Sequence, residues 1–167
     1  IYEQTGKMKV TMYGISAGSI AIHNFLVTAV SQQWKDKYIK KVIFHGPSFG
    51  GSGDSLRVLW SNKVGFLPGV YNTESVRRMA MTIPTLHAHM PNVHTNTRYV
   101  FMIGPNGEKY YAQDLPKLLL DHGKVTGDAK KLFEASYPLS QVDVLSPGVP
   151  SYHLFNSVLD TPIGYNL

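Results

Sequence analysis

The stretch VTMYGISAGSIAIHNFL, residues 10–26, restricts what this chain can fold into more than any other. An apolar run over 8–13 reads as a short buried strand and ends in Gly14-Ile15-Ser16-Ala17-Gly18. Apolar side chains then recur at Ile20, Ile22, Phe25, Leu26 and Val30, close to the spacing of one helical face, so 17–30 reads as a helix. Residues 38–45 (YIKKVIFH) read as a second strand, stopped by Gly46-Pro47. Strand, abrupt turn, helix and strand make a βαβ unit whose two strands should be parallel neighbours. The expected fold class is therefore α/β.

Gly-x-Ser-x-Gly is a weak pattern in isolation, because glycine and serine are common. Its place between a strand and a helix gives it weight. A nucleophile elbow turns the chain sharply at that joint and holds its serine in a strained backbone conformation. Small residues are needed where the turn packs, and Gly14, Ala17 and Gly18 supply them. Ser16 is then the candidate catalytic nucleophile, and the Ala17 amide, opening the helix, the candidate oxyanion donor. The alternative is a glycine turn whose serine only caps the helix.

Downstream, 46–53 is a glycine-rich loop, 54–62 and 73–81 fit short helices, and KVGFLPGVYN between them is irregular and rather apolar. Residues 98–103 read as a strand, Gly104–Gly107 as a turn and 108–111 as its return. Residues 113–121 and 127–136 read as helices, the first with Asp114 as a cap and Pro116 in its first turn. Residues 151–158 read as a strand. A chain of 167 residues can bury a core. It has no cysteine, which excludes internal disulfides and thiol catalysis in this stretch. The net charge of +5 is modest, and no nucleic-acid motif accompanies it, so nucleic acid is not an expected partner. Lys35, Lys37, Lys40 and Lys41 are its densest cluster, read as a solvated face or as a contact for an anionic membrane surface. No apolar run is long enough to span a bilayer. The start at Ile1, without a signal-peptide layout, reads as that of a partial chain.

Two weaker constellations remain. His87, His89 and His94 include a His-x-His pair that could ligate a metal from one strand face, but no acid or cysteine completes a set. Neither a metal nor a cofactor is expected. Trp60, Phe66, Leu67 and Val70 are candidates for a lipid-facing lid edge, with ordinary packing as the alternative.

Several separated motifs, in order, resemble the lecithin:cholesterol acyltransferase family, which includes lysosomal phospholipases and phospholipid:diacylglycerol acyltransferases. They are the elbow, WKDKYIKKVIFHGPSFGGS (34–52) with its Gly46–Ser52 loop, ESVRRMAMTIPTLHAHMPN (74–92) and PGVPSYHLFNSVLDTPIGYNL (147–167). The resemblance implies an α/β-hydrolase fold: residues 1–53 as the elbow part of the core, 54–147 as an inserted lid and cap, and 148–167 as the return strand. It implies transfer of an acyl group from a phospholipid or similar lipid ester to an alcohol or water through acyl-Ser16, with the protein peripheral to a membrane or lipoprotein surface. It also implies a secretory or lysosomal lumen, although His153 stands where the family strand often has a disulfide cysteine. The family usually has His before the serine; this chain has Ile15.

In this fold the triad runs Ser, then Asp or Glu, then His. Asp160 is the only acid after the last strand and no His follows it; Asp143 and His153 flank the entrance to a strand. The base, the acid and the second oxyanion donor are therefore expected outside this stretch, on remaining polypeptide or on another chain completing the sheet. A non-catalytic relative, acting as a structural or interaction subunit, is the alternative. Residues 60–73 are expected to be more mobile than 8–45 and to lie on the Ser16 side of the sheet.

Overall fold

The computed structural model describes residues 1–61, 72–157 and 165–166. The strands are β1 (Val10–Ile15), β2 (Ile39–His45), β3 (Met102–Ile103), β4 (Lys109–Tyr110), β5 (Ser151–Leu154) and β6 (Tyr165–Asn166). The helices are α1 (Ala17–Asn24), α2 (Gln32–Tyr38), α3 (Gly53–Ser61), α4 (Thr73–Met81), α5 (Pro84–His87), α6 (Leu115–Asp121) and α7 (Asp128–Ser136). Residues 1–49 with the segment from 143 form one compact unit, and the described residues from 50 to 142 with 165–166 form a second.

In the first unit β1, β2 and β5 make a parallel sheet in that order. The βαβ reading of 8–45 holds, with β1 ending two residues later than expected. The single helix expected over 17–30 is shorter: α1 gives way at Phe25 to a π turn, Phe25–Ala29, that ends in extended Val30. A further helix, α2, follows, because Ser31 Oγ accepts the Trp34 N–H at 3.2 Å and caps it.

Register explains which sheet face is covered. Met12, Val42 and Ser151 form one row, and Gly14, Phe44 and His153 form another on the same face. Val42 and Phe44 are fully buried with Leu26 and Ile39, under Ile22, Val30, Trp34, Tyr38 and Phe49. Burying each such side chain contributes about 1.5–3 kcal/mol. Tyr13, Ile15, Tyr152 and Leu154 occupy the opposite face and are exposed. β5 ends at Leu154, earlier than the strand expected over 151–158; residues 155–157 are irregular.

Lys35 corrects the reading of the lysine cluster as uniformly solvated. It is buried, and its ammonium donates to the carbonyls of Leu26 (3.1 Å) and Pro147 (3.0 Å), pinning the π turn and the approach to β5.

The second unit has its own core, in which Leu56 and Leu59 of α3, Leu115 and Leu119 of α6, Met90, Met102 and Phe133 are almost fully buried. α4 lies where expected because Asn72 Oδ1 accepts from the N–H groups of Glu74 and Ser75. Glu74 pairs with Arg77 and Arg78, which hold its carboxyl down at about 2. The strand expected over 98–103 reduces to β3, paired antiparallel with β4 around the Gly104–Gly107 turn and parallel with β6. Asp114 accepts the Tyr111 N–H at 2.8 Å, so it caps the turn leading into α6. Gly51, at φ +82°, sits so close to the Met90 carbonyl and Pro91 that a side chain there would collide. Ser52 donates to the His89 carbonyl (2.8 Å), and Asn92 donates to that of Gly50 (3.0 Å).

Candidate active site

β1 ends at Ile15, α1 begins at Ala17, and the one residue between them, Ser16, has φ +49° and ψ −118°. Among the described residues only Lys7 shares a positive φ without being glycine. Such a conformation costs about 1–3 kcal/mol and persists only where its surroundings enforce it. Here the backbone on both sides is fixed. The Ser16 N–H donates to the His45 carbonyl at 2.8 Å, and the Ser16 carbonyl accepts from the Ser19 N–H at 2.9 Å. Buried Ser19 donates its Oγ proton to the Gly14 carbonyl at 2.8 Å, fastening the first turn of α1 to the strand.

Gly14 makes this possible. A Cβ there would lie 2.8 Å from Ser19 N and Cα and 2.9 Å from Gly18 C, all backbone atoms. Gly18 differs: a Cβ on it would meet nothing within 4 Å, so its small size is not what lets the turn pack.

The Ser16 side chain makes no capping hydrogen bond to α1. The capping reading of this serine therefore fails, and the residue is exposed. Ala17, as the first residue of α1, carries an amide with no intrahelical acceptor, at the positive end of the helix dipole. An exposed serine and an unused helix-start amide on adjacent residues suit attack on a carbonyl and stabilisation of the resulting oxyanion.

Two further histidines of the first unit pack against its aromatic side chains. His23 is buried, with Nε2 2.8 Å from the Leu145 carbonyl and its ring against Phe49. His153 lies with its ring against Phe44 and Phe49. No hydrogen bond joins Asp143 to His153 among the described residues. Sequence reasoning overlooked His45. It follows from the register of two parallel strands, which sets His45 beside Ile15, and its Nδ1 lies 2.6 Å from Tyr13 Oη.

The histidines of the second unit do not share a strand face. His87 ends α5 and is fully buried, with Nδ1 2.9 Å from Ser136 Oγ and its ring against Phe133. Burial pushes its imidazole below the ordinary histidine range, outweighing the opposing Met81 carbonyl. His89 Nδ1 donates to the Thr85 carbonyl at 2.7 Å, and His94 is exposed. Among the described residues no three His, Asp or Glu side chains cluster as metal ligands would. Trp60 is partly buried against the core of this unit, its ring 4.6 Å from Lys124 Nζ and 5.3 Å from the His122 ring. Phe66, Leu67, Val70 and Asp160 lie outside the described residues, as does most of the 60–73 segment. No helix among the described residues is long and apolar enough to cross a membrane.

A family model for lecithin:cholesterol acyltransferase matches residues 1–165. The lysosomal phospholipase A and acyltransferase of Bos taurus is 29% identical over 141 residues, which cover 81% of this chain and 32% of that protein. The chain thus spans about a third of the length of this curated relative.

Proposed function

The chain belongs to the lecithin:cholesterol acyltransferase family, with its α/β-hydrolase type of fold, and on that footing we propose that it carries the nucleophile of a lipid acyltransferase or phospholipase. Ser16 Oγ gives its proton to a general base, which later returns it to the leaving alkoxide, and attacks the carbonyl carbon of a phospholipid-type ester. The developing oxyanion is held by the Ala17 amide. Collapse expels the lysolipid alkoxide, which takes up a proton, and leaves the acyl group on Ser16 as an ester. Water or a second alcohol then attacks that ester, giving a fatty acid or a new lipid ester and returning Ser16.

The observation that supports this best is the exposed Ser16 on a strained turn (φ +49°), free of the helix cap. No imidazole is hydrogen-bonded to Ser16 among the described residues, so the proposal draws its general base and acid from polypeptide outside them. Residues 54–147 are proposed as lid and cap, with Phe66 and Leu67 meeting lipid at a membrane or lipoprotein surface to which the protein binds peripherally.

A fluorophosphonate probe tests the nucleophile. The full polypeptide should be labelled at Ser16, and the Ser16→Ala variant should not. Absence of labelling in a folded protein that binds lipid vesicles would favour a non-catalytic relative, retained as a structural or interaction subunit.

A further inference from the structure

His45 is tied to the elbow twice. Its carbonyl accepts the Ser16 N–H at 2.8 Å, one of the bonds that enforce the strained serine. Its imidazole is held by β1 itself, with Nδ1 2.6 Å from Tyr13 Oη and the two rings 6.1 Å apart, edge to face. The geometry follows from register. Ile15 is opposite His45 and Tyr13 is opposite Ile43, so Tyr13 and His45 are diagonal neighbours on one sheet face. The next residue, Gly46, donates its N–H to the Leu154 carbonyl at 2.7 Å. The His45 residue is thus fixed between β1 and β5 just where the serine turn leans on it.

Tyr13 is 50% exposed and His45 is exposed, on the sheet face opposite the buried cluster. The contact ties β1 to β2 at the end of the strands where the serine turn begins. What lies beside them is Ser16.

We propose that Tyr13 and His45 are positioning residues for the nucleophile, a side-chain clamp between β1 and β2 that holds the His45 carbonyl in place under the Ser16 amide. The proposal rests on Ser16 being the nucleophile. Neither side chain exchanges a proton with substrate. Their hydrogen bond survives either tautomer, because the phenol both donates and accepts.

The test uses the full polypeptide with the Tyr13→Phe, His45→Phe, double Tyr13→Phe/His45→Phe, His45→Asn and Ser16→Ala variants, with turnover measured on a soluble short-chain ester. Each Phe variant should lower kcat about three- to tenfold with KM unchanged, the effect of one net hydrogen bond acting on the reacting geometry. The double variant should lose no more than the worse single one, because both remove the same contact. His45→Asn keeps a polar atom near the Nδ1 position and should retain most of the turnover. Wild-type kcat in both Phe variants, or losses that multiply in the double variant, would overturn the clamp while leaving the nucleophile reading intact. Full turnover in Ser16→Ala would overturn the nucleophile reading and the clamp with it. A fall in melting temperature without a change in kcat would assign the pair a merely structural role and also overturn the proposal.

Discussion

Replacing Gly14 by alanine is the sharpest perturbation of the elbow that leaves every polar group in place. The added methyl would sit 2.8 Å from Ser19 N and Cα and 2.9 Å from Gly18 C. Ordinary carbon contacts are about 3.5–4.0 Å, and these neighbours are backbone atoms that no rotamer change can move aside. α1 must therefore lift from β1. That stretches the Ser19 Oγ–Gly14 carbonyl hydrogen bond, now 2.8 Å and buried, and disturbs the seat of Ile20. Overpacking of this kind costs about 1–3 kcal/mol, and the weakened hydrogen bond adds about 1 kcal/mol. We expect Gly14→Ala to lose about 2–4 kcal/mol by urea unfolding, and to be labelled by a fluorophosphonate far more slowly. Gly18→Ala is the control. Its methyl meets nothing within 4 Å, and alanine is the better helix former, so stability should hold or rise by up to about 1 kcal/mol. If Gly14→Ala unfolds within about 0.5 kcal/mol of the wild type, or if Gly18→Ala is the more damaging change, the close approach of helix to strand is not what builds this turn.

Lys35→Met should cost about 1–3 kcal/mol in urea unfolding, because it leaves the buried Leu26 and Pro147 carbonyls without their donor; an unchanged midpoint would mean that water replaces the ammonium freely. His87 gives a pH dependence with a definite sign. Its folded pKa is depressed, so below the ordinary value of about 6.5 the unfolded chain takes up a proton that the folded chain refuses. Stability should therefore fall as pH drops from about 6.5 toward the folded pKa, and His87→Gln should flatten that slope in urea titrations at stepped pH; an equally steep slope in the variant would point to another group. Phe66→Ser with Leu67→Ser should reduce activity on phospholipid vesicles far more than on a soluble short-chain ester, and equal losses on both substrates would remove the lid reading.

The elements that position the site were legible because each rests on a local rule. The apolar runs of β1 and β2, the small residues at the turn and the breaker at Gly46-Pro47 specify a βαβ unit without long-range information. α4 and α7 fall within the helices read over 73–81 and 127–136. What escaped the sequence depends on partners distant along the chain. Lys35 looked like one more exposed lysine, and only the Leu26 and Pro147 carbonyls, the latter 112 residues away, make it a buried anchor. Gly18 looked as necessary as Gly14, yet only the direction of each missing side chain separates them. The π turn at Phe25–Ala29 interrupts an apolar pattern that continues through it to Val30, so periodicity could not reveal it. Of the proposed site, Ser16 and Ala17 were named from the strand–turn–helix pattern. His45 becomes visible only when the strands are aligned; their parallel pairing was expected, but the register that sets His45 beside Ile15 was not.

The central claim is that an acyl group passes through Ser16, and trapping that intermediate tests it most directly. The full polypeptide would be mixed with a phospholipid, quenched in acid within the first turnover and digested, and the peptide spanning Ser16 examined by mass spectrometry. The account predicts that this peptide gains the mass of one acyl chain less a hydrogen, with the modification on Ser16, and that the gain is absent from Ser16→Ala. Product release in the same quench with the Ser16 peptide unmodified, or equal turnover by Ser16→Ala, would contradict it.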